Sequence, residues 1–157
     1  MIELDAALDG ALMLAGPRLG RQGVRLDDRR TGPSPRVRAD AMRLEQVFVN
    51  LLHNALEALA DTAEPLVRLT VEQTGDQVRV RIEDNGPGIP QAARERLFTP
   101  FFTTRAQGVG LGLVISRDIL AEFDGTLQAL EVAQGAVFEV VLQTGEGHES
   151  DGSVVRG

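Results

Sequence analysis

Two asparagines, Asn50 and Asn54, stand four residues apart in "EQVFVNLLHNALEAL", and Glu57 follows three residues later. On a helix the three share one face. Asparagine is a poor residue for a helix interior, because its amide competes for backbone hydrogen bonds. A pair at this spacing beside an apolar stripe suits a ligand or a metal. An amide carbonyl oxygen suits a hard cation such as Mg²⁺, which keeps most of its waters and takes oxygens from substrate phosphates. A solvated polar face accounts for this segment alone equally well.

Three further polar islands interrupt the apolar pattern. In "EDNGPGIP", Asp84 closes an alternating, strand-like run, and Gly86 and Gly88 let the backbone turn sharply and a flat ligand approach closely. An ionised aspartate only accepts hydrogen bonds, so it suits an exocyclic amine such as that of adenine; an ordinary Asn-Gly turn is the plain alternative. "LFTPFFTTR" places three phenylalanines within five residues and ends in Arg105, a charge-assisted donor for phosphate. Such a loop either tucks into the core or lies over a ligand. "GVGLGL", residues 108–113, runs into "VISRDILAEF". A glycine-rich turn that opens a helix offers backbone N–H groups and a positive dipole end to an anion. No Lys-Ser or Lys-Thr follows it, so it is not a P-loop, and a glycine triplet alone is weak evidence.

The elements that must hold these islands are readable from periodicity. Residues 3–16 have helical spacing, and Gly16-Pro17 predicts a stop or a kink. Segments 24–28 and 36–40 read as short strands around the Pro/Gly loop "RRTGPSP". Asp40 predicts an N-cap for a helix over 41–60, whose stripe is Leu44, Val47, Leu51, Ala55 and Leu59. "LVRLTVEQ" and "QVRVRIED" alternate around "TGD" and predict a hairpin ending at Asp84. A short helix near 90–97, an irregular loop over 98–110, a helix over 111–122 and a strand pair around "AQG" complete the chain. The polar, Gly-rich residues 143–157 read as a flexible tail. Mixed helices and hairpins point to an α/β two-layer sandwich.

Composition sets outer limits. The 157 residues suggest one domain, and 43% of them are hydrophobic, enough for a core built mainly from Leu, Val, Ile and Ala. The absence of cysteine excludes disulfides, thiolate metal sites and a cysteine nucleophile, and two histidines make a zinc site improbable. All sixteen basic residues are arginine, yet the net charge is −7. Arg29, Arg30, Arg36 and Arg38 lie in a polar stretch without interleaved aromatics, which reads as a solvated surface, and nucleic acid is not an expected partner. No apolar run approaches the roughly 18 residues of a membrane span. "MIELDAALDG" has neither the basic nor the apolar region of a signal peptide, so a soluble, intracellular-type domain without direct membrane contact is expected.

The order of the islands resembles one family closely. A double-Asn helix, a strand-Asp-GxG loop, a Phe-rich loop and a GxGxG helix start are similar to the N, G1, F and G2 boxes of the ATP-binding catalytic domain of sensor histidine kinases. The resemblance covers residues 1–142, and "PFFTTR" with "SRDILAEFDGTL" is similar to the dicarboxylate-sensing and nitrogen-regulatory subgroup. It implies a Bergerat-type sandwich of the GHKL superfamily, with a mixed, mostly antiparallel sheet against about three helices and an ATP lid. It implies ATP and Mg²⁺ as cofactors, with Asn54 as the metal ligand, Asn50 lining the phosphate site and Asp84 on the adenine amine. Gly86, Gly88 and Ile89 then shape the base pocket. The lid over 98–110 contributes Phe102, Thr103, Thr104 and Arg105, the last with a catalytic role beside Asn50 and Asn54. Gly108, Gly110 and Gly112 hold the triphosphate, and Val109, Leu111, Leu113 and Glu57 complete the contacts.

Departures from the family pattern carry information too. In gyrase-, MutL- and Hsp90-like ATPases a Glu four residues before the metal Asn activates water; here that position is Asn50, and neither Glu45 nor Glu57 has the spacing. The resemblance thus implies phosphoryl transfer to a protein rather than self-contained hydrolysis. Glu57 and Ala58 replace a frequent Lys and aromatic residue, Ala136 replaces a frequent Thr near adenine, and Arg105 keeps the charge of a usual Lys. Neither His53 nor His148 sits in an "HE" or "HD" context on an N-terminal helix. The substrate histidine, and with it the general base, is therefore expected on a dimerisation domain outside this chain, and residues 1–16 are expected to be the end of the linker from it. The implied partners are that domain and, downstream, a response regulator. The expected location is the cytoplasmic side of an inner-membrane sensor. Two rival readings share the motifs: a stand-alone anti-sigma-type serine kinase, and a nucleotide-binding module with no catalysis of its own.

Overall fold

A computed structural model describes residues 1–100 and 111–144. The elements run β1 (Ile2–Glu3), α1 (Leu4–Gln22), β2 (Arg25–Asp28), β3 (Arg36–Val37), α2 (Ala41–Ala58), β4 (Leu66–Thr74), β5 (Gln77–Asp84), α3 (Gln91–Arg94), α4 (Gly112–Ala121), β6 (Thr126–Leu130) and β7 (Ala136–Gln143). Five strands form a mixed sheet in the order β2-β4-β5-β7-β6, parallel only between β2 and β4; β1 and β3 form a separate antiparallel pair. The expected two-layer sandwich is present. Val67, Leu69, Val78, Val80, Ile82, Leu127, Phe138, Val140 and Leu142 from the sheet join Leu4, Leu8, Leu44, Phe48, Leu51, Leu56 and Leu120 from the helices in one buried cluster.

The hairpin forms as its alternation predicts. Thr74 pairs with Gln77 across a two-residue turn in which Gly75 has φ 62°, the left-handed region such turns require. The helix α2 begins where a cap is available: Asp40 is extended, and its carboxylate accepts the Arg43 N–H at 3.0 Å.

Two expectations are corrected. The first helix does not stop at Gly16-Pro17 but continues through Pro17 to Gln22. Pro17 is exposed, so its ring and the hydrogen bond it cannot make fall on the water side, while Ala15 and Leu19 keep the buried stripe in phase. The helix ends at Gly23 (φ 65°), with Gly23 N–H on the Gly20 carbonyl at 3.1 Å and Val24 N–H on the Leu19 carbonyl at 2.9 Å. The second short strand is also shorter than the expected segment 36–40, spanning only Arg36–Val37, and the two short strands around "RRTGPSP" pair with other elements. β2 runs parallel to β4, and β3 pairs with β1 through Ile2–Val37. Arg30 fixes this corner, contacting Asp5 at 3.2 Å, Asp9 at 2.7 Å and Asp28 at 2.7 Å.

Among the described residues, no helix covers the other face of the sheet. There Glu139, 2% exposed, accepts from Arg81 at 2.8 Å and Gln128 at 2.9 Å and lies 3.4 Å from Arg79. Burial pushes its carboxyl up, but these hydrogen bonds and the two guanidinium charges outweigh burial and hold it below the usual range.

Candidate functional site

The helix α2 carries the polar edge Gln46, Asn50, Asn54 and Glu57, and it is fastened at both ends of that edge. At one end, Asn50 Nδ2 donates to Ser116 Oγ at 3.1 Å and to the Gly112 carbonyl at 3.4 Å, joining α2 to the first turn of α4. At the other end, a Cβ on Gly86 would lie 3.0 Å from the Ala58 carbonyl, so the loop after β5 sits directly on the end of α2. From Asn50 to Ala58 is a rise of about 12 Å at about 1.5 Å per residue. Asn54 lies between, one turn before Ala58, and Glu57 is exposed beside it.

Asp84 is the last residue of β5 and belongs to the face shared by Val78, Val80 and Ile82. It is 8% exposed, and its Oδ1 accepts the Gly86 N–H at 2.9 Å. Asn85 ties the loop to β4: its Oδ1 accepts the Leu66 N–H at 2.7 Å, and its Nδ2 donates to the Glu64 carbonyl at 3.0 Å. Gly88 and Gly135 lock the loop to the β6–β7 turn. Gly88 (φ 86°) would place a Cβ 2.9 Å from the Gly135 carbonyl, and a Cβ on Gly135 (φ 68°) would overlap the Asp84 carbonyl. Both positions demand glycine by conformation and by space. Ile89 packs on the core beside the loop.

Opposite this loop stands the start of α4. Gly112 opens the helix and has nothing within 4 Å of a would-be Cβ, and Leu111 before it offers no side-chain cap. The first-turn N–H groups of a ten-residue helix give this end of α4 a partial positive charge. Leu113 packs on the core below. The Arg117 guanidinium lies 4.4 Å over the ring of Phe98, joining α4 to the segment where the lid is expected to begin.

The structure therefore brings Asn50, Asn54, Glu57, Asp84, Gly86, Gly88, Ile89, Leu111, Gly112 and Leu113 around α2 and its two junctions. Phe102, Thr103, Thr104, Arg105, Gly108, Val109 and Gly110, with His148, lie outside the described residues. His53 is half-buried on α2. Sequence reading missed Ser116, fully buried at 0% exposure and spaced three and four residues before the buried Ile119 and Leu120. Its signal was a small hydroxyl in the core stripe of "GLVISRDIL". Two grooves, of about 570 Å³ and 480 Å³, flank the Gly88–Gly135 contact, and no residue of α2 or α4 lines either.

A family model described as "Histidine kinase-, DNA gyrase B-, and HSP90-like ATPase" matches residues 39–146. Among curated relatives, the C4-dicarboxylate transport sensor protein DctB of Rhizobium meliloti is 40% identical over 142 residues, covering 89% of this chain and 22% of that protein. Among solved structures, the nucleotide-free catalytic domain of histidine kinase ThkA superposes with a TM-score of 0.82 at 33% identity, covering 93% of this chain and 96% of that one. ThkA in complex with the response regulator protein TrrA superposes with a TM-score of 0.75 at 27% identity, covering 91% of this chain and 41% of that one. The chain spans less than half the length of the curated relatives it matches.

Proposed function

Because this chain belongs to the family of histidine kinase-, DNA gyrase B- and HSP90-like ATPases, and its relatives are sensor histidine kinases, we propose that it is the ATP-binding catalytic domain of a two-component sensor. In this role it binds Mg²⁺-ATP and presents the γ-phosphate to a histidine on a dimerisation domain, for relay to a response-regulator aspartate. Support for the relay comes from ThkA, which is known in complex with a response regulator.

One observation carries the reading. The helix α2 touches the Asp84 loop at Ala58 and the α4 start through Asn50, so a buried carboxylate and an uncapped helix N-terminus stand at the two ends of one polar edge. The separation suits an extended nucleotide. Asp84 would accept from the adenine amine, with Gly86 and Gly88 leaving room for the ring. The α4 N–H groups would take the phosphates, and Asn54 would hold Mg²⁺, whose charge neutralises the triphosphate. Among the described residues no three His, Cys, Asp or Glu converge on a metal, so phosphate and water would supply its remaining ligands. Asn50 stands where a water-activating Glu would act, and its amide is no base, which favours transfer over hydrolysis. Positioning and charge neutralisation supply most of the catalysis in such transfer. Arg105 and the rest of residues 98–110 are proposed as the lid, and the parent protein as a membrane-anchored sensor; among the described residues no helix is long and apolar enough to cross a membrane.

The test is a transfer assay. Incubated with γ-labelled ATP and dimerisation domains of related sensor kinases, the chain should place acid-labile, base-stable label on histidine. Label on serine of a partner protein would support the anti-sigma-type reading instead. ATP binding with no transfer to any partner would leave only the nucleotide-binding module.

A further inference from the structure

We propose that Ser116 is a positioning residue of the nucleotide site: its buried hydroxyl fixes the amide plane of Asn50 and thereby the direction in which Asn50 Oδ1 faces the metal–phosphate group. The inference rests on reading the polar edge of α2 as part of the Mg²⁺-ATP site.

Three observations carry it. The orientation of the Asn50 amide is determined by chemistry, because one of its α4 partners is the Gly112 carbonyl at 3.4 Å. A carbonyl only accepts, so the nitrogen must face α4 and Oδ1 must face away from it. Next, Ser116 is 0% exposed on the stripe it shares with Ile119 and Leu120, where a hydroxyl is unfavourable unless it is hydrogen-bonded. The Asn50 amide at 3.1 Å is a partner, and no buried side-chain polar atom among the described residues is left without one. Finally, the two sides of the amide are held unequally. Nδ2 is fastened to two groups of α4, whereas among the described residues Oδ1 accepts only the side chain of exposed Gln46, at 3.3 Å. That distance and the 3.4 Å to Gly112 are both at the long end for such a bond, which leaves the 3.1 Å contact with Ser116 as the amide's shortest. Were Mg²⁺ held at Asn54, a donor of its site could take the place of Gln46 on Oδ1 while Ser116 keeps the amide from rotating.

A tie between two helices would be merely structural if it lowered stability alone. The proposal makes a narrower claim, that losing the hydroxyl acts on the Mg²⁺-dependent part of nucleotide binding. Calorimetry of ATP binding to the full chain, with Mg²⁺ and with EDTA, separates the two. In Ser116→Ala the gain in affinity on adding Mg²⁺ should shrink about five- to tenfold, the size of one net hydrogen bond. Affinity in EDTA should stay at the wild-type value, and Ser116→Thr should restore the gain. In an Asn50→Ala background the same change should do nothing further, because the partner it acts through is gone. If Ser116→Ala does not fold, Ser116→Cys keeps the volume, weakens the acceptor and reads the same comparison. An unchanged Mg²⁺ gain, an equal loss with and without Mg²⁺, or a full effect surviving in Asn50→Ala would each overturn the proposal. A wild-type chain that binds no ATP would overturn the underlying reading and this inference with it, an outcome distinct from the other three.

Discussion

The carbonyl oxygen of Asp84 occupies the space in which a Cβ on Gly135 would have to sit. The floor of the loop after β5 is thus backbone against backbone, and the Asp84 main chain abuts a residue 51 places away in the chain. Ala136, the next residue, pairs directly with Asp84 in the sheet.

Gly135→Ala should therefore destabilise the chain by at least about 2 kcal/mol, since it adds a left-handed alanine to a steric overlap that only backbone movement relieves. Urea denaturation measures the loss. ATP affinity should fall with it, because the loop must move to admit the methyl group. A variant with wild-type midpoint and affinity would contradict the contact.

Asp84→Asn separates recognition from folding. Asparagine still has an oxygen for the Gly86 N–H at 2.9 Å, so the loop should keep its shape and the melting temperature should barely change. What is lost is a charged acceptor for an exocyclic amine. ATP should bind about ten- to a hundredfold more weakly. Calorimetry returning unchanged affinity would remove Asp84 from the adenine role.

Asn54→Ala should abolish most of the Mg²⁺ dependence of nucleotide binding, by at least the roughly tenfold typical of losing even an outer-shell partner of a metal. Binding in EDTA should be nearly unaltered. A Mg²⁺ titration that superposes on the wild-type curve would reject the metal assignment.

Glu139 governs part of the acid stability. Its carboxyl is depressed in the fold, so the unfolded chain binds the proton more readily, and the stabilisation is present above the ordinary carboxylate range. It is lost as pH falls below about 4 and through the folded value. Glu139→Gln should cost about 1–3 kcal/mol at pH 7 and flatten the decline between about pH 5 and 3. Thermal melts across that range check both halves, and a variant as acid-labile as the wild type would refute the assignment.

What the sequence disclosed was what local physics controls. The alternation of "LVRLTVEQ" and "QVRVRIED" yielded the hairpin, and Asp40 yielded the start of α2. Each described residue of the Asn, Asp84 and glycine-rich motifs lies on α2, the Asp84 loop or the α4 start, whereas the Phe-rich motif is described only through residue 100. What stayed hidden depends on partners distant in the chain. The parallel pairing of β2 with β4 is made across the whole of α2, and no local pattern encodes it. Continuation through Pro17 depends on which side of α1 faces water. Ser116 reads as an ordinary small core residue until Asn50 is seen opposite it. The same holds for Gly135, whose close approach exists only once β5 and β7 are aligned.

The strand β7 is buried from Ala136 to Leu142 and hydrogen-bonded on both sides, to β5 along its length and to β6 over five residues. An element enclosed in this way releases its amide hydrogens only when the whole domain opens. Gly135 and Asp84 are mounted at the end of this pair of strands. In hydrogen exchange, the support of the proposed base acceptor should therefore belong to the slowest-exchanging part of the molecule. On the proposed reading, nucleotide would meet an acceptor already in place, and little of its binding energy would be diverted into ordering it.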